Sequence, residues 1–95
     1  MNEKLKNKNN DYLFKCILSL ETVEECYCFF EDICTASELC ELGKRIRAAK
    51  MLTDGKQYSD ITEETGLSTA TISRVNRSLK YGTDGYAMVL KRTDE

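Results

Sequence analysis

Apolar residues recur every three or four positions along most of the chain, the spacing that lines one face of an α-helix. One set lies within residues 11–20, and a broader stripe lies within residues 23–34. The longest stripe precedes Gly55, and its expected inner face is Leu39, Leu42, Ile46, Ala49 and Leu52. Three shorter apolar sets follow, and no stretch alternates as a β-strand does. The pattern predicts an all-α chain of about six helices.

Hydroxyl and carboxylate side chains mark where these helices are expected to begin. Thr22 with Glu25, and Thr35 with Glu38, have the spacing of a capping box, in which hydroxyl and carboxylate each accept from a backbone N–H. The three shorter helices are expected to be capped by Ser59, Ser68 and Asp84. Local hydrogen bonding thus predicts five helix starts.

These starts divide one predicted domain, residues 1–95, into five parts. They are a disordered basic arm (1–10), dimerisation helices (11–34), a long core helix (35–55), a helix-turn-helix (59–80) and a C-terminal helix (84–91). A chain of 95 residues buries only about two-thirds of its unfolded surface. A core shared between two copies would therefore add considerable stability.

The helix-turn-helix is predicted from the apolar residues and the glycine of segment 59–80. Ile61 anchors a short first helix, Gly66 forms the turn, and Leu67 with Ile72 can lock the two helices together. In such motifs the N-terminal end of the second helix enters the major groove of DNA. The second helix, which begins after Ser68, is therefore the expected recognition helix.

The recognition helix carries side chains suited to both kinds of DNA contact. Small side chains that can meet base edges lie on its leading face, at Thr69, Ala70 and Ser73. Basic side chains suited to phosphate contacts follow, at Arg74, Arg77 and Lys80. The first-turn amides near Ser68 could also meet a phosphate, helped by the helix dipole. Sequence-specific binding to duplex DNA is the predicted function.

The formal net charge of −2 does not by itself indicate a nucleic-acid partner. The distribution of charge is more informative, because a basic face is what duplex binding requires. Residues 17–43 contain seven acidic residues and no Lys or Arg, whereas residues 44–50 and 66–80 contain basic residues and no acid. The same distribution also fits ordinary solvated helix faces.

Several other classes of protein are disfavoured. No apolar run approaches the roughly 20 residues of a membrane span, and the polar N-terminus lacks the apolar region of a signal peptide. We therefore expect a cytoplasmic protein. Without histidine, a nucleophile–base constellation or a glycine-rich phosphate loop, no enzymatic activity and no cofactor are expected.

Five cysteines are many for this length: Cys16, Cys26, Cys28, Cys34 and Cys40. An odd count without a secretion signal disfavours a disulfide framework. The last four could supply thiolates to a metal, but Cys26 and Cys28 form a C-x-C pair within a predicted helix, not the usual zinc spacing in a turn. Packing as small apolar residues is favoured and no metal site is assigned, with a redox or metal sensor as the alternative.

From about Thr35 to Lys80, roughly half its length, the chain resembles the tryptophan-repressor family, in particular its YerC/YecD branch. The matching runs are LGKRIRAAKML (42–52), GLSTATISR (66–74) and SLK (78–80). The resemblance implies an all-helical, intertwined homodimer whose two helix-turn-helix motifs face successive major grooves of a palindromic or pseudo-palindromic operator. The broad apolar stripe at 23–34 would then belong to the dimer core.

The resemblance also implies a ligand pocket. In the tryptophan repressor the indole ring lies between two arginines, which Arg45 and Arg74 match, and the ligand's polar groups lie near residues that Ser78 and Thr35 match. This chain has Val75 where the repressor has a glycine that leaves room for the ring. A branched side chain there should fill that space, so no tryptophan binding is expected and any small-molecule corepressor is unknown.

A second class of function fits the same residues. The helix-turn-helix could serve as a scaffold that docks onto another protein, with the acidic block of residues 21–41 as the contact surface. Binding to duplex DNA that falls steeply with salt would separate the DNA-binding regulator from this interaction module.

Overall fold

The computed structural model describes residues 2–93, which form six α-helices after one turn of 3-10 helix at Glu3–Leu5. The helices are α1 (Lys8–Leu18), α2 (Val23–Ile33), α3 (Ala36–Thr53), α4 (Tyr58–Thr65), α5 (Thr69–Tyr81) and α6 (Gly85–Thr93). No strand occurs within residues 2–93. The predicted all-α fold is confirmed. Across this part of the chain, no helix combines the length and apolar character needed to cross a bilayer.

The chain consists of two compact units, one up to Leu39 and one from Cys40 onward. The first unit contains α1 and α2, and neither helix buries a residue. Leu18, Val23 and Tyr27 are each more than half exposed. The division has a physical reason: the apolar residues of α1 and α2 do not enclose a core within this chain.

The second unit has a small core contributed by three helices and one turn. Its buried apolar residues are Ala48, Ala49 and Met51 from α3, Ile61 from α4, Leu67 from the turn, and Ile72 and Val75 from α5. Within the expected inner face of α3, Ala49 is buried and Leu52 packs against the core, but Leu42 and Ile46 are exposed. The core therefore uses only the C-terminal half of α3.

The predicted capping box is complete at α3, and at α2 only its hydroxyl half is present, in which Thr22 accepts from the Glu25 N–H. At α3, the Thr35 hydroxyl accepts from the Glu38 N–H at 3.1 Å while the Glu38 carboxylate accepts from the Thr35 N–H at 2.8 Å. The hydrogen bond from the Thr35 N–H, and after it one from the Thr35 side chain, lower the pKa of the Glu38 carboxyl, because both favour its charged form. At α2, the Glu25 carboxylate accepts from the Glu21 N–H, one residue before the cap.

The sequence predicted a disordered arm over residues 1–10. The structure differs from this prediction over residues 2–10, and Met1 lies outside the described residues. The Asn7 side chain accepts from the Asn10 N–H at 2.8 Å and so starts α1 at Lys8. The Asn2 side chain accepts from the Lys4 N–H, and the Asn10 amide donates to the Leu5 carbonyl. Asparagine side chains thus satisfy backbone groups that the prediction left to water.

One of the shorter helices begins differently from the prediction, and another begins as predicted but after an unusual backbone conformation. Helix α4 begins at Tyr58, so Ser59 lies inside its first turn and not at the cap, and Gln57 precedes the helix without a side-chain bond. Tyr58 packs against the core, and this contact draws the residue into the helix. Asp84 precedes α6, but it has a left-handed φ of 65°, unlike the extended backbone of a usual N-cap.

Candidate nucleic-acid interface

A tight, internally bonded turn joins α4 to α5. Gly66 ends α4 at φ 76°, a left-handed conformation that glycine adopts without penalty, and its N–H donates to the Thr62 carbonyl at 2.8 Å. The buried Thr65 hydroxyl donates to the Ile61 carbonyl at 2.7 Å and accepts from the Leu67 N–H at 3.2 Å. One hydroxyl therefore connects the last turn of α4 to the start of the next segment.

Ser68 caps α5, as the sequence predicted. Its hydroxyl oxygen accepts from the Thr71 N–H at 3.2 Å and donates to the Thr71 hydroxyl at 3.1 Å. The remaining first-turn N–H groups of α5 carry the positive end of the helix dipole. Ser68, Thr69 and Ala70 are exposed at this end of the helix.

Helix α5 separates its buried residues cleanly from its exposed ones. Ile72 and Val75, three positions apart, are buried in the core. All seven residues predicted to contact DNA are exposed, namely Ser68, Thr69, Ala70, Ser73, Arg74, Arg77 and Lys80. We call these seven residues the reading face.

The reading face is basic and free of intramolecular ion pairs. Helix α5 contains no acidic residue, and Arg74, Arg77 and Lys80 make no ion pair with any residue of the 2–93 range. The acids of the motif lie on α4, where Asp60, Glu63 and Glu64 are exposed and line a different depression with Met51 and Lys56. The guanidinium and ammonium groups of α5 therefore face solvent uncompensated.

A small cavity of about 80 Å³ lies beside α5. Its lining consists of Arg45 from α3, Thr71, Arg74, Val75 and Ser78 from α5, and Tyr86 from α6. The Arg45 Nε atom is buried without a hydrogen bond and lies 3.5 Å from a carboxylate oxygen of Glu41, and both residues are half-buried.

The structure brings together three of the four residues expected in a ligand pocket. Arg45, Arg74 and Ser78 share this cavity, with Val75 in its wall. Thr35 is not one of the lining residues; it belongs to the first unit, where its hydroxyl and N–H form the capping box.

Two features make the cavity small. Val75 is only 4% exposed and belongs to the core. Tyr86 is half-buried and packs against that core. An apolar cavity that admits a benzene ring has about 150 Å³, so the space that remains here is smaller than a benzene ring needs. Tyr86 was missed from the sequence, where its spacing of four residues from the half-buried Leu90 was the available signal.

The five cysteines are free thiols, with Cys16, Cys26 and Cys34 half-buried and Cys28 and Cys40 exposed. Within the described part of the chain, no three His, Cys, Asp or Glu residues are grouped so that they could hold a metal ion. The three half-buried thiols are therefore only partly packed as small apolar residues, and the two exposed thiols are not packed in this way.

Comparison with known proteins gives consistent results. Residues 8–94 match the family described as Trp repressor protein. The chain is 53% identical over 93 residues to the uncharacterized protein YerC of Bacillus subtilis (strain 168), covering 98% of this chain and 89% of that protein.

Two solved structures are similar to this one. A TrpR-like protein from Eubacterium eligens ATCC 27750 has a TM-score of 0.95 and 54% identity, over 98% of this chain and 96% of that chain. A protein from Staphylococcus aureus described as a candidate Trp repressor has a TM-score of 0.93 and 51% identity, over 97% and 92% of the two chains.

Proposed function

This chain belongs to the Trp repressor family, and on that premise we propose that it is a cytoplasmic, sequence-specific regulator that binds duplex DNA through α5. The observation that carries the proposal is the reading face: seven exposed residues on a capped helix that has no acid and no intramolecular ion pair within residues 2–93. A protein–DNA interface requires such an uncompensated basic surface.

The residues of the reading face divide into two roles. Thr69, Ala70 and Ser73 lie in the first turn and a half of α5, the part of a recognition helix that meets base edges. A threonine methyl or an alanine can contact a thymine methyl, and a hydroxyl can bond to several base edges. Arg74, Arg77 and Lys80 lie further along, together with the amides after Ser68, and are assigned to phosphates.

A homodimer is part of the proposal, and the first unit supports it. Helices α1 and α2 bury nothing, yet they carry Phe14, Leu18, Tyr27 and Ile33, each more than half exposed. A second copy that covers these side chains would remove a large apolar surface from water. Two copies related by a two-fold axis would present two reading faces, which favours a palindromic or pseudo-palindromic operator.

Binding of tryptophan is not part of the proposed function. With Val75 in the core and Tyr86 in the wall, the cavity of about 80 Å³ is well below the roughly 150 Å³ that holds benzene, and an indole is larger still. Calorimetry of the purified protein with L-tryptophan should give no stoichiometric heat. A micromolar, one-to-one isotherm would contradict this part of the proposal.

Selection of bound duplexes from a random pool, using the purified full chain, tests DNA binding, palindromy and half-site spacing together. We expect an enriched site with two-fold symmetry and half-sites about one helical turn apart. Binding to that site should weaken steeply as salt is raised, because phosphate contacts release counterions. A pool without an enriched sequence and without salt-dependent binding would favour the protein-interaction module instead.

A further inference from the structure

The residue that the structure adds to the pocket is Tyr86, and we infer that it is a positioning residue that takes the place of an aromatic ligand. In this inference, which rests on the proposed function, α6 supplies a ring from the chain itself. The ring supports α5 from the neighbouring α6, which packs against it. Operator binding would then need no small aromatic corepressor.

The location of Tyr86 is the first support. It lines the same cavity as Arg45 from α3 and Arg74 from α5. Tyr86 is also half-buried and packs against the core, in contrast to Tyr81, which is 82% exposed. Tyr86 is therefore an integral part of this wall.

The volume of the cavity is the second support. What remains between these side chains is about 80 Å³, compared with roughly 150 Å³ in a cavity that admits benzene. Val75 is held in the core and cannot withdraw without opening a void. We therefore expect an additional ring to compete with Tyr86 for this space.

Two other residues that line the cavity connect it to the reading face. Arg74 lines the cavity and belongs to the reading face. Thr71 also lines the cavity, and its hydroxyl and N–H both bond to Ser68, the cap of α5. Loss of the ring would therefore free α5 to shift at the residues that align it on DNA. Packed side chains transmit displacement to their neighbours, and the free volume beside α5 is small.

Replacement of the ring tests the inference directly, with the operator obtained by selection. Tyr86→Ala should weaken operator binding by about tenfold or more, because the vacated space lets α5 shift. Tyr86→Phe, which keeps the ring, should bind within about twofold of the unmodified chain. Tyr81→Ala is the control for removal of a tyrosine outside the cavity.

Chemical rescue distinguishes positioning from general stability. Phenol or indole added to Tyr86→Ala should enter the vacated space, as benzene enters an engineered apolar cavity, and recover most of the lost affinity. The unmodified chain and Tyr81→Ala should not respond to either compound. A merely structural role would leave Tyr86→Ala with lower thermal stability and with operator affinity that phenol does not change, and that result would overturn the inference.

A ligand titration of the unmodified chain keeps the inference testable even if Tyr86→Ala does not fold. Protein that has been unfolded, freed of small molecules and refolded should bind the operator at full affinity. Tryptophan, tyrosine and indole should each leave that affinity unchanged within about twofold. A large gain with any of them would show that Tyr86 yields to a ligand and would refute the inference. Absence of operator binding under every condition would instead refute the proposed function.

Discussion

The two units of this chain use apolar residues in opposite ways. In the second unit, a few small and branched side chains such as Ala48, Ile61 and Ile72 are completely buried. In the first unit, larger side chains such as Tyr27 and Leu18 are mostly exposed, and α1 and α2 bury no residue. Apolar content therefore does not predict a core unless the chain can fold a second surface over it.

The difference also separates two tasks. The second unit contains the whole reading face and the cavity next to it, so it is equipped to position a recognition helix. Within the first unit, helix α2 presents an apolar surface together with acids such as Glu24 and Glu31 and no base. A surface of that kind suits a protein partner and not DNA.

The largest expected effect is on stability, from a matched pair of isoleucine substitutions. Ile72→Ala should reduce the free energy of unfolding by roughly 2–5 kcal/mol, because it leaves a void in a packed core. Ile33→Ala, on the half-exposed end of α2, should cost clearly less in dilute protein and more as concentration rises. Urea unfolding at two protein concentrations measures both. Equal, concentration-independent losses would remove the contrast between the units.

A charge placed in the first unit should change the state of assembly. Tyr27→Asp puts a carboxylate on the exposed apolar face of α2, where a partner chain would have to desolvate it. Sedimentation should show a shift from dimer toward monomer, while Glu31→Gln on the same helix should leave the dimer intact. A monomeric unmodified chain would show that this face has another use.

Removal of a basic side chain from the reading face should weaken binding to DNA. Arg74→Ala should weaken binding to all duplexes by similar factors and lower the slope of log affinity against log salt by about one. Lys15→Ala, which removes an exposed cation from α1, should have little effect if DNA binding is confined to the second unit. Fluorescence anisotropy across a salt series gives both slopes. Equal slopes for the two variants would show that the DNA interface is not where we propose it.

Substitutions at the N-terminal end of α5 should alter which sequence is preferred. Thr69→Ala and Ser73→Ala should each change the discrimination between bases at one operator position by up to about 3 kcal/mol. The overall helix content should stay unchanged. Repeating the duplex selection with each variant measures the change. If both variants enrich the original operator, base recognition lies elsewhere in the chain.

The smallest effect concerns the cap of α3, at the border of the first unit. The pKa of Glu38 is lowered from 4.5, so its stabilising contribution is present above the ordinary pKa and is lost as pH falls through the lowered value. Glu38→Gln keeps the capping geometry but removes the charge, so it should flatten this acid-side loss. Thermal unfolding between neutral and acid pH measures it, with Glu24→Gln as control.

Much of the fold could be predicted because its signals are local. The capping box formed by Thr35 and Glu38, the cap at Ser68 and the left-handed Gly66 depend on atoms only a few residues apart. The exposure of the reading face followed from helical periodicity once α5 was located. Predicted helix boundaries were wrong where a residue takes part in core packing. Tyr58 packs against the core, and α4 begins at this residue, one position before Ser59.

The sequence by itself determined the order of helices and the basic, acid-free character of α5. Backbone sterics, capping and local charge depend on residues that are close together along the chain. Tertiary structure alone decided which apolar residues are buried: Ala48 is buried, whereas Ile46 on the same helix is exposed. It also placed Tyr86 beside Arg45 and Arg74. These outcomes depend on residues far apart along the chain, because burial and cavity volume are properties of several helices packed together.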